Sequence, residues 1–281
     1  MVEEVLAGGN VSGAVVRVGA TVRKPWMPST PSVTRFVETI RAVGVDAPTP
    51  LGRDDAGRQI LEFVPGELAM NGPRLSSSQL RRVGAMVRAI HDASAGFTRD
   101  AEDIWETAIA APGDELICHN DLAPWNLIIG DRWMFIDWDA AAPSTRLWDL
   151  AYAAQAFALS EPTRSVQESA ADLAVFVAGY EADAAMRAEL PVAMAARTEA
   201  MYALLHSSHD AGIEPWASMF VSGHGDHWRN ATHYVKSHRD EWAAALAASS
   251  GCDASVSQDE RHVRLSGQSR YVGGCEPGNL A

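Results

Sequence analysis

The stretch His119-Asn120-Asp121-Leu122-Ala123-Pro124-Trp125-Asn126 concentrates polar side chains in a short segment, and Asp137-Trp138-Asp139 begins eleven residues after its last member. The apolar run Leu116-Ile117-Cys118 precedes it, and a second run, Trp133-Met134-Phe135-Ile136, leads into Asp137. Such short apolar runs bounded by turn residues are typical of strands. We therefore expect the two strands to bring the carboxylates of Asp121 and Asp137 to one edge of a cleft.

The residue types in this pattern suit phosphoryl transfer. Carboxylate and amide oxygens are the ligands that Mg²⁺ prefers, and an Asp can receive the proton of an attacking hydroxyl. A His, an Asp two residues later, an Asn five residues after that and a second Asp behind a strand follow the layout of kinase-like catalytic loops. On this layout Asp121 would receive the proton, while Asn126 and Asp137 would bind the metal.

Together with Leu147-Trp148-Asp149-Leu150-Ala151-Tyr152, these segments resemble the aminoglycoside phosphotransferase and choline kinase superfamily over roughly residues 5–245. The resemblance implies a protein-kinase-like two-lobed α+β fold, with a small strand-rich N-terminal lobe and a larger helical C-terminal lobe. It also implies ATP-dependent transfer of the γ-phosphoryl group to a hydroxyl of a small molecule, with Mg²⁺ as cofactor and GTP as an alternative nucleotide.

The resemblance assigns roles to individual residues. Asp121 is implied as the catalytic base, and Asn126 and Asp137 as Mg²⁺ ligands. Asp149 would be a buried support of the catalytic loop, and His119 would pack and hydrogen-bond beneath the metal-binding Asp. Two alternatives stay open for Asp139: it is either a second metal contact or a cap of the turn that follows.

The pattern along the chain predicts three regions. Residues 1–64 contain short strands and one helix from about Val33 to Val43, which predicts a nucleotide-binding lobe ending at a Pro65-Gly66 hinge. Residues 65–249 are mostly helical and carry the catalytic loop and the acceptor site. Residues 250–281 are rich in Ser, Gly and charge without a period, which predicts a disordered tail. Strands followed by helices indicate an α+β arrangement.

Two features of the first lobe predict phosphate binding. A glycine-rich turn lies between two predicted strands, and its backbone N–H groups and Ser hydroxyl can face an anion. Its candidate residues are Gly9, Asn10, Ser12 and Gly13. The third strand must supply a cation for the phosphates, and strand alternation places the two candidates, Arg23 and Lys24, on opposite faces.

The resemblance favours Arg23, because the small Thr21 two residues before it would then line the adenine pocket, although the family usually has Lys at this position. Glu38 on the following helix is either the ionic partner of this cation or a solvated surface residue. The resemblance further implies that the backbone groups of Glu62, Phe63 and Val64 hydrogen-bond the adenine.

Composition excludes some partners. The 281-residue chain has a formal net charge of −13, which disfavours nucleic acid and anionic membranes as partners and would tolerate a cationic acceptor. The N-terminal residues lack a secretory signal pattern and no apolar run is long enough to cross a membrane, so we expect a cytoplasmic protein. Of the three cysteines, Cys118 is expected in the core, and Cys252 and Cys275 in the tail, without a structural disulfide.

The acceptor cannot be named from the sequence, since relatives act on aminoglycosides, choline-like amines, sugars and other alcohols. Six candidate contact residues lie in the helical lobe: Tyr202, His206, His209, Asp210, Trp216 and His227. The histidines there lack the ligand spacing of a zinc site. A second hypothesis is a non-catalytic small-molecule binding or immunity-type protein that retains the fold. Retention of Asp121, Asn126 and Asp137 favours the enzyme, and the family suggests a role in antibiotic resistance.

Overall fold

The computed structural model describes residues 3–6, 15–161 and 163–248. Its first part is an antiparallel sheet of five strands in the order β1-β2-β3-β5-β4. The strands are β1 (Glu4–Val5), β2 (Val16–Val18), β3 (Thr21–Lys24), β4 (Pro50–Arg53) and β5 (Gln59–Glu62). A Gly19-Ala20 turn joins β2 to β3, and Gly19 takes the left-handed φ of 61° that a two-residue hairpin requires.

Helix α1 (Thr30–Ala42) lies between β3 and β4. It begins three residues before the predicted Val33, because Pro31 fits the first turn, where no intrahelical N–H partner is needed. Its apolar face includes Phe36 and Ile40, both fully buried. This face joins the core cluster of the helical part, so α1 packs the sheet against the rest of the molecule.

The chain leaves the five-stranded sheet after β5 and enters a second sheet at once. Strand β6 (Glu67–Leu68) pairs with β8 (Leu127–Ile129), which pairs with β9 (Trp133–Phe135). Gly66, with φ 147°, allows this close approach, because a Cβ there would lie 2.7 Å from the carbonyl oxygen of Ile129. The connection at Pro65-Gly66 therefore packs directly on the β8–β9 hairpin, which follows the predicted catalytic loop.

The second part is helical, as expected. Strands β7 (Leu116–Cys118) and β10 (Ala142–Ser144) pair with each other between the helices. The helices are α2 (Ser77–Ser94), α3 (Arg146–Ala158), α4 (Val166–Tyr180), α5 (Ala184–Ala211), α6 (Trp216–Met219), a π-helical stretch Phe220–His224, α7 (Gly225–Ser237) and α8 (239–248). Helix α2 begins with a capping box between Ser76 and Gln79. The α+β class is confirmed.

Helices α2 and α4 cross in backbone contact. A Cβ at Gly84 would lie 2.1 Å from the carbonyl oxygen of Phe176, and one at Gly179 would lie 2.1 Å from that of Arg81. Only glycine fits such a crossing. The contact brings His91, near the end of α2, beside Tyr180 at the end of α4.

Some expectations fall outside the described ranges, namely the glycine-rich turn and the tail with Cys252 and Cys275. Cys118 is fully buried on β7, as expected. Within the described ranges, no helix combines the length and the apolar character that crossing a membrane requires.

Candidate active site

A chain of buried polar groups anchors the loop between β7 and β8. Asp149, only 1% exposed, lies in the first turn of α3, and its Oδ1 accepts a hydrogen bond of 2.9 Å from the backbone N–H of Asn120. Its Oδ2 lies 3.0 Å from His91 Nε2, and His91 Nδ1 lies 2.9 Å from the Tyr180 hydroxyl. The structure thus places Asp149 beneath the loop, where the resemblance puts its support.

The neighbouring loop residues tie the two strand pairs together. Asn120 has a left-handed backbone with φ 64°, and its side-chain amide donates to the carbonyl oxygens of Ala140 and Ala142. His119 is fully buried; its Nε2–H donates to the Ile136 carbonyl at 3.1 Å, and its Nδ1 accepts from the Asp121 N–H at 3.3 Å. His119 therefore connects the backbone before Asp137 to that of Asp121, a structural position.

Both oxygens of the Asp121 carboxylate have a donor. Asn126 Nδ2–H donates to Oδ2 at 2.7 Å, and the Tyr152 hydroxyl donates to Oδ1 at 2.9 Å. Burial raises the pKa of Asp121 above its ordinary value, although His119 and the Tyr152 hydrogen bond act in the opposite direction. An Asp with a raised pKa is a stronger base than one in water.

The second carboxylate, Asp137, follows β9 with a left-handed φ of 60°. Lys24 Nζ lies 2.5 Å from Asp137 Oδ1 and 2.6 Å from Asp139 Oδ2. Burial favours neutral Lys24, which is 4% exposed, but the two carboxylates outweigh it and raise the lysine pKa. Burial likewise raises the pKa of Asp137, yet Lys24 outweighs it and the net shift is downward. Lys24 and Asp137 are therefore both charged at neutral pH.

This pairing favours Lys24 over Arg23 as the cation beside Asp137. The predicted alternation is right, since Arg23 Nη1–H donates to Thr21 Oγ1 at 2.6 Å on the same face of β3. That face, however, turns toward the β4–β5 connection, where Arg23 Nε lies 3.5 Å from Asp54 Oδ2. Glu38 is exposed on α1 and forms no ion pair with either cation, so the surface alternative holds for it.

The three hinge candidates have different surroundings. The Glu62 carboxylate accepts hydrogen bonds from Thr49 and Arg132, and the Phe63 N–H donates to the Ala20 carbonyl at 3.0 Å. In the described part of the chain, no backbone carbonyl accepts from the Val64 N–H. Val64 itself packs with Ile128, Met134 and other apolar residues of the second sheet. Of the three, Val64 combines apolar surroundings with an N–H that has no backbone acceptor among the described residues.

The oxygen atoms near Asp121 form a ligand set that fits Mg²⁺. Asn126 gives its amide N–H to Asp121, which leaves the amide oxygen for a cation, and the Asp137 and Asp139 carboxylates already hold the positive charge of Lys24. Hard oxygen ligands of this kind suit Mg²⁺.

A second grouping, His91, Cys118 and Asp149, is fully buried. His91 and Asp149 already bond each other, and burial raises the pKa of the Cys118 thiol, so that it stays protonated. These three residues support the core.

The candidate acceptor residues meet in one aromatic cluster. Trp228 stacks on Tyr152 with ring centres 6.0 Å apart, which links the cluster to Asp121. His209 stacks on Phe220 at 4.7 Å. The other candidates surround these rings: Tyr202 and His206 beside Phe220, Trp216 in the same apolar cluster, Asp210 in an ion pair with His206, and His227 edge-on to Trp228.

Sequence reasoning missed His91, Tyr152, Arg197 and Phe220. Helical spacing carries a signal for two of them. Tyr152 lies three residues after Asp149 and so shares its helix face, and His91 lies four residues after the core residue Val87. A polar residue on an otherwise apolar helix face is unusual, and it therefore signals a buried polar contact that the sequence pattern can reveal.

The family comparison agrees with this geometry. The phosphotransferase enzyme family (APH) matches residues 97–191, a segment that contains Asp121, Asn126, Asp137 and Asp149. The resemblance to the phosphotransferase family is confirmed over this segment. The matched segment is shorter than the expected 5–245 and does not reach Lys24.

Solved structures confirm the protein-kinase-like fold. An amicoumacin kinase in complex with AMP-PNP and Ca²⁺ is similar with a TM-score of 0.61 at 13% identity, covering 85% of this chain and 88% of that one. A microcompartment-associated aminopropanol kinase has a TM-score of 0.55 at 16% identity, covering 80% and 93%. A choline/ethanolamine kinase family protein from Mesorhizobium loti has a TM-score of 0.55 at 16% identity, covering 88% and 92%.

One curated relative has a different description. The trifolitoxin immunity protein of Rhizobium leguminosarum bv. trifolii is 30% identical over 145 residues, 49% of this chain and 55% of that protein. The chain thus spans about half the length of the curated relative it matches.

Proposed function

We propose that this protein is an ATP-dependent phosphotransferase that transfers the γ-phosphoryl group to a hydroxyl of a small molecule. The observation that carries the proposal is the convergence of Asp121, Asn126, Asp137 and the buried Lys24 at one edge of the second sheet. Phosphoryl transfer needs a base, a metal-binding set and a cation for the phosphates, and these side chains supply all three.

Each side chain has a role in this proposal. Asp121 accepts the proton of the acceptor hydroxyl and orients its oxygen toward the phosphorus. Lys24 would leave the carboxylate of Asp137 and bind the nucleotide phosphates, while Asn126, Asp137 and, as second contact, Asp139 would hold the metal. Bound Mg²⁺ would offset the charge that develops on the phosphate oxygens. Positioning and charge neutralisation supply most of the acceleration, because the transition state is loose.

The nucleotide is expected between the two parts of the chain. The Val64 N–H and its apolar neighbours would hold the base, with ATP preferred and GTP as the alternative. Gly9, Asn10, Ser12 and Gly13 remain the predicted phosphate-binding turn. A cytoplasmic location and the division into lobes at residue 64 also remain predictions from the sequence.

The acceptor is proposed to bind between Asp121 and the aromatic cluster around Trp228 and Phe220. Aromatic faces beside an acidic residue favour a cationic amine, since ring faces attract positive charge. The acidic net charge of −13 would assist the approach of such an acceptor. No nucleic acid or membrane partner is proposed.

The first experiment measures nucleotide binding by thermal shift with ATP or GTP, with and without Mg²⁺. Wild type should gain melting temperature only with nucleotide and Mg²⁺ together, and Asp137→Ala should lose this gain. Asp121→Asn should bind nucleotide like wild type but release no ADP when acceptor alcohols are screened. Asp131→Ala is the matched control, because Asp131 is exposed in the β8–β9 turn, six residues before Asp137. A shift that is unchanged in Asp137→Ala would remove this residue from the metal set.

A second candidate function is that of an immunity-type protein that binds a toxic molecule without modifying it. The similarity to the trifolitoxin immunity protein favours it. Survival of cells under trifolitoxin or aminoglycosides distinguishes the two candidate functions. Cells that produce wild type are compared with cells that produce Asp121→Asn. Protection that survives Asp121→Asn supports sequestration, whereas protection that disappears with it supports phosphorylation of the toxic compound.

A further inference from the structure

The carboxylate of Asp121 is held from two elements. Asn126, in its own loop, donates to Oδ2, and Tyr152, on α3, donates to Oδ1 at 2.9 Å. A carboxylate oxygen has more than one lone pair, so each oxygen can accept a further hydrogen bond. The two donors therefore set the plane of the carboxylate without consuming its capacity to accept a proton.

Arg197 packs beneath this arrangement from the middle of α5. Its guanidinium carbon lies 4.2 Å from the centre of the Tyr152 ring, and Nη2–H donates to the carbonyl oxygen of Asn120 at 3.3 Å. Arg197 is 6% exposed, forms no salt bridge with any described residue, and its Nη1 has no hydrogen-bond partner there. A buried guanidinium without a paired carboxylate is unfavourable by itself.

The surroundings explain why the cation is tolerated. Burial lowers the pKa of Arg197, and the nearby charges of Asp121 and Asp149 act against that shift. The face of the Tyr152 ring adds a cation–π contact. Arg197 is thus a buried counter-charge for the carboxylates on both sides of the loop, and it contacts the loop through the residue that precedes Asp121.

Resting on the proposed function, we propose that Tyr152 and Arg197 are positioning residues that hold the Asp121 carboxylate in the orientation that receives the acceptor proton. Tyr152 fixes Oδ1, and Arg197 fixes both the Tyr152 ring and the carbonyl of Asn120. Both act through Asp121. The pair links the base to α5, the helix that also carries Tyr202 and His206 of the candidate acceptor pocket.

Packing alone does not account for these two residue types. Trp228 and Trp125 contact the Tyr152 ring, and a phenylalanine would fill the same space without burying a hydroxyl. Burial, followed by the charge of Asp121, raises the pKa of Tyr152 well above its usual value, so the hydroxyl keeps its proton and donates. A methionine in place of Arg197 would likewise fill apolar space without the cost of an unpaired donor.

The test uses ADP release from ATP and Mg²⁺ with water as the acceptor, because this probe needs no knowledge of the natural alcohol. Tyr152→Phe and Arg197→Met should each lower kcat by about tenfold and leave KM for ATP within about twofold, since misplacing a reacting group mainly slows the chemical step. The double variant should be no slower than the slower single variant, because both residues act on one carboxylate. Arg197→Lys keeps the positive charge, so its kcat should lie between those of Arg197→Met and wild type.

Tyr234→Phe is the matched control, because its buried hydroxyl has no partner among the described residues and its removal should leave kcat unchanged. Melting temperatures of all variants show whether a lower kcat reflects misfolding or a misplaced Asp121 carboxylate. Unchanged kcat in Tyr152→Phe, or equal losses in Tyr152→Phe and Tyr234→Phe, overturns the positioning role and leaves the proposed function standing. Absence of ADP release by wild type that still binds the nucleotide overturns the proposed function, and this inference with it.

Discussion

Lys24 and Asp137 form an ion pair of 2.5 Å although 113 residues separate them along the chain. The pair joins β3 of the first sheet to the end of β9 in the second, so it connects the two sheets. In the proposed reaction Lys24 must exchange this carboxylate for phosphate. The side chain proposed to bind phosphate is therefore paired with the side chain proposed to bind the metal.

Lys24→Met should therefore weaken Mg²⁺-dependent ATP binding by about tenfold or more, since losing a hydrogen bond to a charged group costs about 1.5–3 kcal/mol. Titration calorimetry with ATP and Mg²⁺ measures this loss. Arg23→Met is the matched control on the neighbouring position, and it should bind ATP like wild type because Arg23 contacts Asp54. An equal loss in both variants would contradict the assignment of Lys24.

Asp149→Ala should lower the free energy of unfolding by about 2–4 kcal/mol, because it leaves the Asn120 N–H and the His91 ring without their buried partner. Urea denaturation followed by circular dichroism measures the change. The exposed Asp131→Ala serves as the control and should fall within about 0.5 kcal/mol of wild type. A loss of activity without any loss of stability would argue that Asp149 acts in catalysis instead of support.

Glu62 should contribute a pH-dependent stabilisation. Burial raises its pKa, but hydrogen bonds from Thr49 and Arg132 outweigh burial and lower it overall. A lowered pKa in the folded state gives stability that is fully present above the unfolded pKa of about 4.3 and is lost as the pH falls through the folded value. The difference in unfolding free energy between wild type and Glu62→Gln should therefore shrink between about pH 6 and about pH 3.

The control for that series is Glu38→Gln, since Glu38 is exposed and has no ion pair among the described residues. Its stability difference from wild type should stay constant over the same pH range. A difference that grows toward acid pH for Glu62→Gln would contradict the sign of the pKa shift.

Gly179→Ala should destabilise the protein by about 2 kcal/mol or more, because the new methyl group would collide with the Arg81 backbone and push α4 away from α2. Thermal unfolding measures the loss. Gly96→Ala is the control, because a Cβ there meets nothing closer than the Ala93 carbonyl oxygen at 3.7 Å. Similar melting temperatures for the two variants would show that the helix crossing can relax.

The loop between β7 and β8 and the helical character of the second part are predictable from the sequence, since the loop is a local motif and helical periodicity is strong after Ser76. The choice between Arg23 and Lys24 is not. Alternation says that they face opposite sides of β3, but which side faces the cleft depends on how the sheet packs on the rest of the chain.

The same limit applies to Tyr152 and Arg197. Their spacing places them on buried faces of α3 and α5, yet their contact with each other depends on how two helices far apart in sequence cross. The acceptor pocket is harder still, because its aromatic residues come from three helical segments and an irregular π-helical stretch that no local pattern predicts.

The backbone N–H of Asn120 donates to the carboxylate of Asp149, which is buried in the core, and this hydrogen bond restricts the motion of the loop. An amide held in this way exchanges with deuterium only when the surrounding helices open, whereas most loop amides exchange through small local fluctuations. The segment that carries the candidate base therefore belongs to the same cooperative unit as α2, α3 and α4. Heat should then abolish turnover and melt the helices in a single transition, with no interval in which a folded protein has lost only its active site.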